Sequence, residues 1–173
     1  MLTRRLSGAT LRAVHRLVTA LVAVLGALVL VLPAPAGRAV ADASTTIRLT
    51  STVSGGTRVT DAAPRGPSRG DQLRVRSVLR NAVAQFGKPR GAIVGSDQMV
   101  MTLLTPTSAS ATVAVKLPGG TMRLRGRLRL DTTTGPTSLP VVGGTGRFAG
   151  AKGRCVVRDQ AAFSTNVYHL TLP

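Results

Sequence analysis

Strict alternation of apolar and polar residues, repeated along the chain, most constrains what this sequence can fold into. Met122, Leu124, Leu128 and Leu130 alternate with Arg123, Arg125, Arg127 and Arg129. A strand sends successive side chains to opposite faces, so this pattern specifies one buried face and one cationic face. The same period of two recurs. Ile47, Leu49, Ser51 and Val53 alternate with Thr46, Arg48, Thr50 and Thr52. Leu73, Val75, Ser77 and Leu79 alternate with Arg74, Arg76, Val78 and Arg80, and Met99, Met101 and Leu103 with Gln98, Val100 and Thr102. Ala111 to Leu117 runs into the turn Pro118-Gly119-Gly120, and two further segments cover Cys155 to Arg158 and Asn166 to Leu172. Gly55 to Gly70 reads as a polar loop. No long stretch carries a helical period; Val78 to Phe86 has room for one turn. Seven or eight strands at this spacing define an all-β domain, a small antiparallel barrel or sandwich.

The first forty residues stand apart. Arg4, Arg5, Arg12 and Arg16 precede sixteen uncharged, strongly apolar residues, Leu17 to Leu32, which end at Pro33, Pro35 and Gly37. Ala39-Val40-Ala41 supplies small residues for cleavage. This order predicts a secretory signal peptide helix over residues 1–41, cut near Ala41-Asp42, and a β domain over 42–173. The alternative is an uncleaved membrane anchor, for which sixteen apolar residues are short. The expected location is therefore extracellular.

The whole chain has 23 Lys+Arg against 6 Asp+Glu, and all six acids are Asp. Five arginines (4, 5, 12, 16 and 38) belong to the leader, which leaves 18 basic residues against six Asp in the domain, a net charge of +12. The hydrophobic fraction of 43% excludes a wholly disordered chain despite that charge. The single Cys155 excludes an intramolecular disulfide, so stability must come from the core and from closure of the sheet.

The segment from Pro140 to Gly153, with Gly143-Gly144-Thr145-Gly146-Arg147-Phe148 and Gly150-Ala151-Lys152-Gly153, resembles the GGxGxF…GAxG signature of the allene oxide cyclase and dirigent barrel families. Gly70-Asp71, Gly91 to Gly95 and Leu117 to Thr121 fall in matching order, so the resemblance covers about Gly70 to Asp159. Residues 70–173 are the best-supported part of the domain. The resemblance implies an eight-stranded antiparallel β-barrel with an apolar cavity, often trimeric, whose plant relatives cyclise an unstable fatty-acid epoxide or steer coupling of phenolic radicals. This chain departs from both patterns. Gly146-Arg147 stands where many dirigent members carry an acid, Lys152 stands in place of an Arg, and no Glu is present. The fold carries over better than either activity, because function belongs to the site.

The chemistry-bearing residues are few. One His outside the leader, one Cys and no Glu cannot assemble an ordinary metal cluster, so no metal and no cofactor is expected. A Ser-His-Asp triad would need His169, which alternates to the face opposite Tyr168, Leu170 and Leu172 and is expected in solvent. The glycines from 143 to 146 lack the Lys-Ser/Thr ending and helix of a phosphate loop, and are expected to serve a tight turn. Asp97 shares a face with Met99, Met101 and Leu103. An acid on an apolar wall would have a raised pKa and could donate or accept a proton; the alternative is a solvated acid at a strand mouth. Met99, Met101 and Tyr168 are the candidate ligand-lining residues. Cys155 is expected buried, and Asp71 is expected to cap a turn.

Arg123, Arg125, Arg127 and Arg129 cannot be core. Alternate residues on a strand are about 6.6 Å apart, which makes a basic stripe of about 20 Å. It is either a solvated outer face or a site for a polyanion. Nucleic acid is not expected, given export and only four aromatics. Two readings of function follow. One is a secreted barrel that binds a small apolar or phenolic molecule and, if an enzyme, guides a cofactor-free cyclisation or isomerisation. The other is a non-enzymatic cell-envelope protein that binds polyanions through the arginine face.

Overall fold

The computed structural model describes residues 43–131 and 135–173, so the leader and the cleavage site lie outside the described residues. Eight antiparallel strands form one closed barrel in chain order: β1 (Ala43–Thr60), β2 (Gln72–Asn81), β3 (Ile93–Thr105), β4 (Ser108–Leu117), β5 (Gly120–Arg129), β6 (Thr137–Gly146), β7 (Lys152–Asp159) and β8 (Ser164–Leu172). Closure comes from β1 pairing with β8, from Ala43 opposite Leu172 to Ser51 opposite Ser164. It leaves no free sheet edge, which an isolated meander of this basic, aromatic-poor composition would expose.

The alternation sets the register. Ser77, Asp97, Val115 and Met122 stand in line across β2 to β5, each opposite the next. Cys155 is opposite Tyr168, and Tyr168 opposite Ile47. All of these point inward, with Leu49, Leu79, Ala111, Leu124, Leu139 and Leu170 among the buried core. The arginines between them point out.

The two ends of the barrel differ. At the end where β2, β4 and β6 finish, Phe148 is 0% exposed, and Leu79, Val94 and Leu117 are buried with it. Phe148 sits in the turn between β6 and β7 and plugs that end. The glycines around it are there for close approach. A Cβ on Gly144 would lie 2.4 Å from the carbonyl oxygens of both Phe148 and Thr121. Gly146 has φ of +60°, and a Cβ there would meet the Gly119 oxygen at 2.1 Å. The Gly-Gly-Thr-Gly run is thus the end of β6 squeezed against the β4–β5 hairpin, and the turn itself follows it. The Arg147 guanidinium stacks over the rings of Phe148 and Phe86, 5.3 and 5.6 Å from their centroids.

At the opposite end the inward residues Leu73, Val75, Met99, Leu103, Leu128 and Val157 are only half-buried. Water reaches the inner wall there. The barrel thus has a half-buried apolar end, the mouth, and an end closed by Phe148, the floor.

Two local readings differ from the sequence expectation. Strand β1 runs on through Gly55 and Gly56, where a polar loop was expected to begin. Both glycines have positive φ, and the register with β2 slips between Val53 and Thr57, so a bulge carries the strand to Thr60. The turn of helix expected over Val78 to Phe86 does not form. Val78 to Asn81 complete β2, and an irregular segment with a single Gln85–Lys88 bridge follows. The loop at residues 61–71 is tied by Asp71, as expected of a turn cap. Its carboxylate accepts from the backbone N–H groups of Ala62 and Ser68, both at 2.8 Å, and from the Ser68 hydroxyl at 3.1 Å.

Candidate functional site

The inner wall is mostly apolar, and polar side chains interrupt it at several points, among them Ser77 and Asn81 of β2, Asp97 of β3 and Asn166 of β8. Asp97 lies midway along β3 and projects inward opposite Ser77 of β2. Ser77 is 8% exposed, and its hydroxyl is hydrogen-bonded to Asp97. Burial raises the Asp97 carboxyl from 3.8 to about 6, and the Ser77 hydrogen bond offsets part of that rise. Tyr168 and Cys155, a cross-strand pair on β8 and β7, are within electrostatic reach of Asp97. The Tyr168 hydroxyl donates toward the Cys155 sulfur. Burial pushes the thiol up to about 12 and the phenol well above its ordinary value, so both stay protonated at neutral pH. Asn166 is the next inward residue from Tyr168 on the mouth side. It is 4% exposed; the buried side-chain polar atom without a partner among the described residues is Oδ1 of Asn81, on the same face of β2 as Ser77 and Leu79.

The structure gives a position to each residue singled out from the sequence. Asp97 is on the inner wall and not on the rim. Met99 and Met101 continue its face toward the mouth, with Met101 at 8% exposure and Met99 half-buried. Tyr168 points inward and is 2% exposed. Cys155 is buried. His169 is exposed and faces away from all of them. Sequence reasoning did not single out Ser77 or Asn166. The signal was available, since each is a polar residue on the apolar face of its strand.

The thiol environment yields a direct expectation. In the folded chain Cys155 should resist a thiol reagent at pH 8 over hours, because a thiol with a pKa near 12 offers almost no thiolate and no access. Full labelling should follow within minutes of adding denaturant. Rapid labelling of the native chain would show that this part of the wall opens.

On the outside, Arg123, Arg125, Arg127 and Arg129 form the expected ladder along β5, all exposed. Arg129 is paired with Asp131 at 2.8 Å, so three of the four face solvent without a carboxylate in that contact. The ladder runs beside the small residues Ala114, Thr112 and Ser110 of β4. A depression of about 460 Å³ is lined by Arg76, Ser77, Asp97, Gln98, Val115 and Lys116 among others, and one of about 320 Å³ takes in Arg125 and Arg127. The larger one thus brings Asp97 and Ser77 together with the cations Arg76 and Lys116.

The closed eight-stranded antiparallel barrel with its apolar inner wall is the architecture of the dirigent and cyclase-like barrels. Among solved structures it is similar to a pyocyanin demethylase, 20% identical, over 73% of this chain and 100% of that one, with a TM-score of 0.59. It is also similar to a Diels–Alderase from Streptomyces koyangensis, 16% identical over 76% of this chain and 69% of that one, TM-score 0.60. A pterocarpan synthase dirigent protein is 18% identical over 76% of this chain and 96% of that one, TM-score 0.55. No family model and no curated protein matches the sequence.

Proposed function

We propose that this chain is a secreted barrel that holds a small apolar or phenolic molecule inside the barrel and guides a cofactor-free cyclisation or isomerisation there. The observation that carries this reading is the acid built into a mostly apolar inner wall. A packed structural core gains nothing from an acid, and Asp97 on that wall has a proton affinity near that needed at neutral pH. Met99 and Met101 supply adaptable apolar surface between it and the mouth. In this reading Asp97 gives a proton to, or takes one from, the reacting molecule. Ser77 orients its carboxylate, while the neutral Tyr168 shapes the floor. The reactions of other barrels of this fold, a [4 + 2] cycloaddition and a pterocarpan synthesis, support chemistry governed by shape and exclusion of water.

A second reading rests on a different observation. Every Lys and Arg among the described residues is exposed, and four, Arg123, Arg125, Arg127 and Arg129, form a ladder on β5. That surface suits a polyanion at the cell envelope.

Native mass spectrometry of the purified full chain, recovered from its own culture medium at low and at high salt, separates the two. A small molecule that stays bound at high salt supports the first reading. A chain that carries no small molecule and takes up anionic polymer only at low salt overturns the first reading in favour of the second.

A further inference from the structure

The outward side chains of β2 to β5 line up in rungs across the sheet. One rung is Arg74, Val100, Thr112 and Arg125, and the next is Arg76, Gln98, Ala114 and Arg123. Each has an arginine at both ends and uncharged side chains between. Two cationic banks result, with Arg74, Arg76 and Arg80 along β2 and the ladder of arginines along β5, all exposed. The banks stand three strand spacings apart, about 14 Å along the sheet. Ser96, Ser110 and Thr112 put hydroxyls on the floor between them, and Lys116 adds a cation there. The two depressions take in residues of this trough: Arg76, Gln98 and Lys116 in the larger, Ser110, Arg125 and Arg127 in the smaller. Among the described residues Arg76, Lys116, Arg123, Arg125 and Arg127 make no hydrogen bond or ion pair. The acid that lines the larger depression is Asp97. Burial and the Ser77 hydroxyl set its proton affinity, with no contribution from Arg76 or Lys116, so it leaves both cations unneutralised. Beyond the second bank, β6 presents only Ser138, Pro140 and Val142 as exposed residues before its glycines.

Resting on the polyanion reading of the outer face, we propose that this trough binds one extended chain of a poly(polyol phosphate), a polymer of phosphodiesters joined by short hydroxylated units. A guanidinium offers two parallel N–H donors to a phosphate, and both banks are arginine throughout. The polymer runs along the strands with its phosphates turned to the banks. Its hydroxyls meet the serine and threonine hydroxyls of the floor, which both donate and accept. Nucleic acid would bring bases, and those need aromatic faces to stack on. Phe86, Phe148, Phe163 and Tyr168, the aromatics of this chain, all lie off β2 to β5.

The test measures binding of a fluorescent poly(glycerol phosphate) of about ten units to the purified full chain by anisotropy, beside a single-stranded oligothymidylate of equal charge. The glycerol polymer should bind more tightly than the oligonucleotide. Its affinity should fall about a hundredfold between roughly 50 and 200 mM salt, as expected when about five cations engage a flexible polyanion. Arg74→Gln with Arg76→Gln, and separately Arg123→Gln with Arg125→Gln, should each weaken binding about tenfold and lower the salt slope by about two. Lys152→Gln with Arg154→Gln makes the same change of charge on β7, four strands round the barrel from β3. That pair should shift affinity by about twofold or less. Circular dichroism verifies the barrel of each variant. Arg76→Lys keeps the charge but loses the planar fork; it should still weaken binding, and it serves where a glutamine pair is unfolded. Equal losses from all three pairs would mean diffuse attraction by net charge, which overturns the trough and leaves the polyanion reading standing. Oligothymidylate bound as tightly as the glycerol polymer does the same. Failure of both polymers to bind at low salt overturns the polyanion reading and this inference with it.

Discussion

Replacing Asp97 by Asn should make the barrel more stable above pH 6, by about 2–3 kcal/mol. The folded-state carboxyl is raised from 3.8 to about 6 by burial. The folded chain therefore holds that proton more tightly than the unfolded chain does. The contribution of Asp97 is most favourable below pH 3.8, declines as pH rises toward 6, and is lost above it, where the native state must keep a carboxylate inside an apolar wall. Asparagine keeps an acceptor for the Ser77 hydroxyl and carries no charge. Urea unfolding between pH 4 and pH 8 should show the native chain losing stability over that interval and the variant losing much less. Parallel curves would mean that the carboxylate is solvated through the mouth and has no elevated proton affinity. A protein that retains a destabilising acid retains it for a reason other than folding, which is why this curve bears on function as well as stability.

Phe148→Ala should cost about 3–5 kcal/mol, the range for removing a fully buried phenylalanine. The neighbourhood cannot collapse into the space. The Phe148 backbone is fixed against Gly144, and the turn that carries it is bounded by Gly146 and Gly150, both with positive φ. Arg147 would also lose one of its two aromatic partners. Beyond stability, the floor of the barrel would be breached. Thiol labelling of Cys155 in native buffer should accelerate relative to the intact chain. A variant as stable as the parent, with an equally protected thiol, would show that Phe148 is not what closes that end.

Most of the fold was legible because period-two alternation is local and unambiguous where both faces have a consistent character. β5, with leucines and a methionine against four arginines, fixed its own orientation, and so did β2 and β3. Asp97 and Tyr168 followed from parity alone. What was not legible depended on contacts distant in sequence. The continuation of β1 through Gly55 and Gly56 relies on β2 pairing across a bulge, and two glycines in a polar run carry no strand signal of their own. In β6 the register with β5 shifts between Arg123 and Leu124, so the run Val141, Val142, Gly143, Gly144 has no clean alternation. The burial of Phe148 was hidden because a residue in a turn has no face from which to predict its direction. Within the candidate site, Ser77 and Asn166 lay in plain view as polar residues on apolar faces. Their meaning emerged only when closure of β1 on β8 brought Tyr168 and Cys155 within reach of Asp97.

Closure has one more consequence. Ala43 pairs with Leu172, so the chain enters and leaves the barrel side by side, at the floor and not at the rim. A tether at either terminus would hold the molecule with its mouth facing away from the point of attachment. Joining Leu172 to Ala43 through a short linker and opening the chain at the β3–β4 turn would leave every strand neighbour unchanged. The chain is wired so that whatever it is fastened to and whatever it takes in approach from opposite sides.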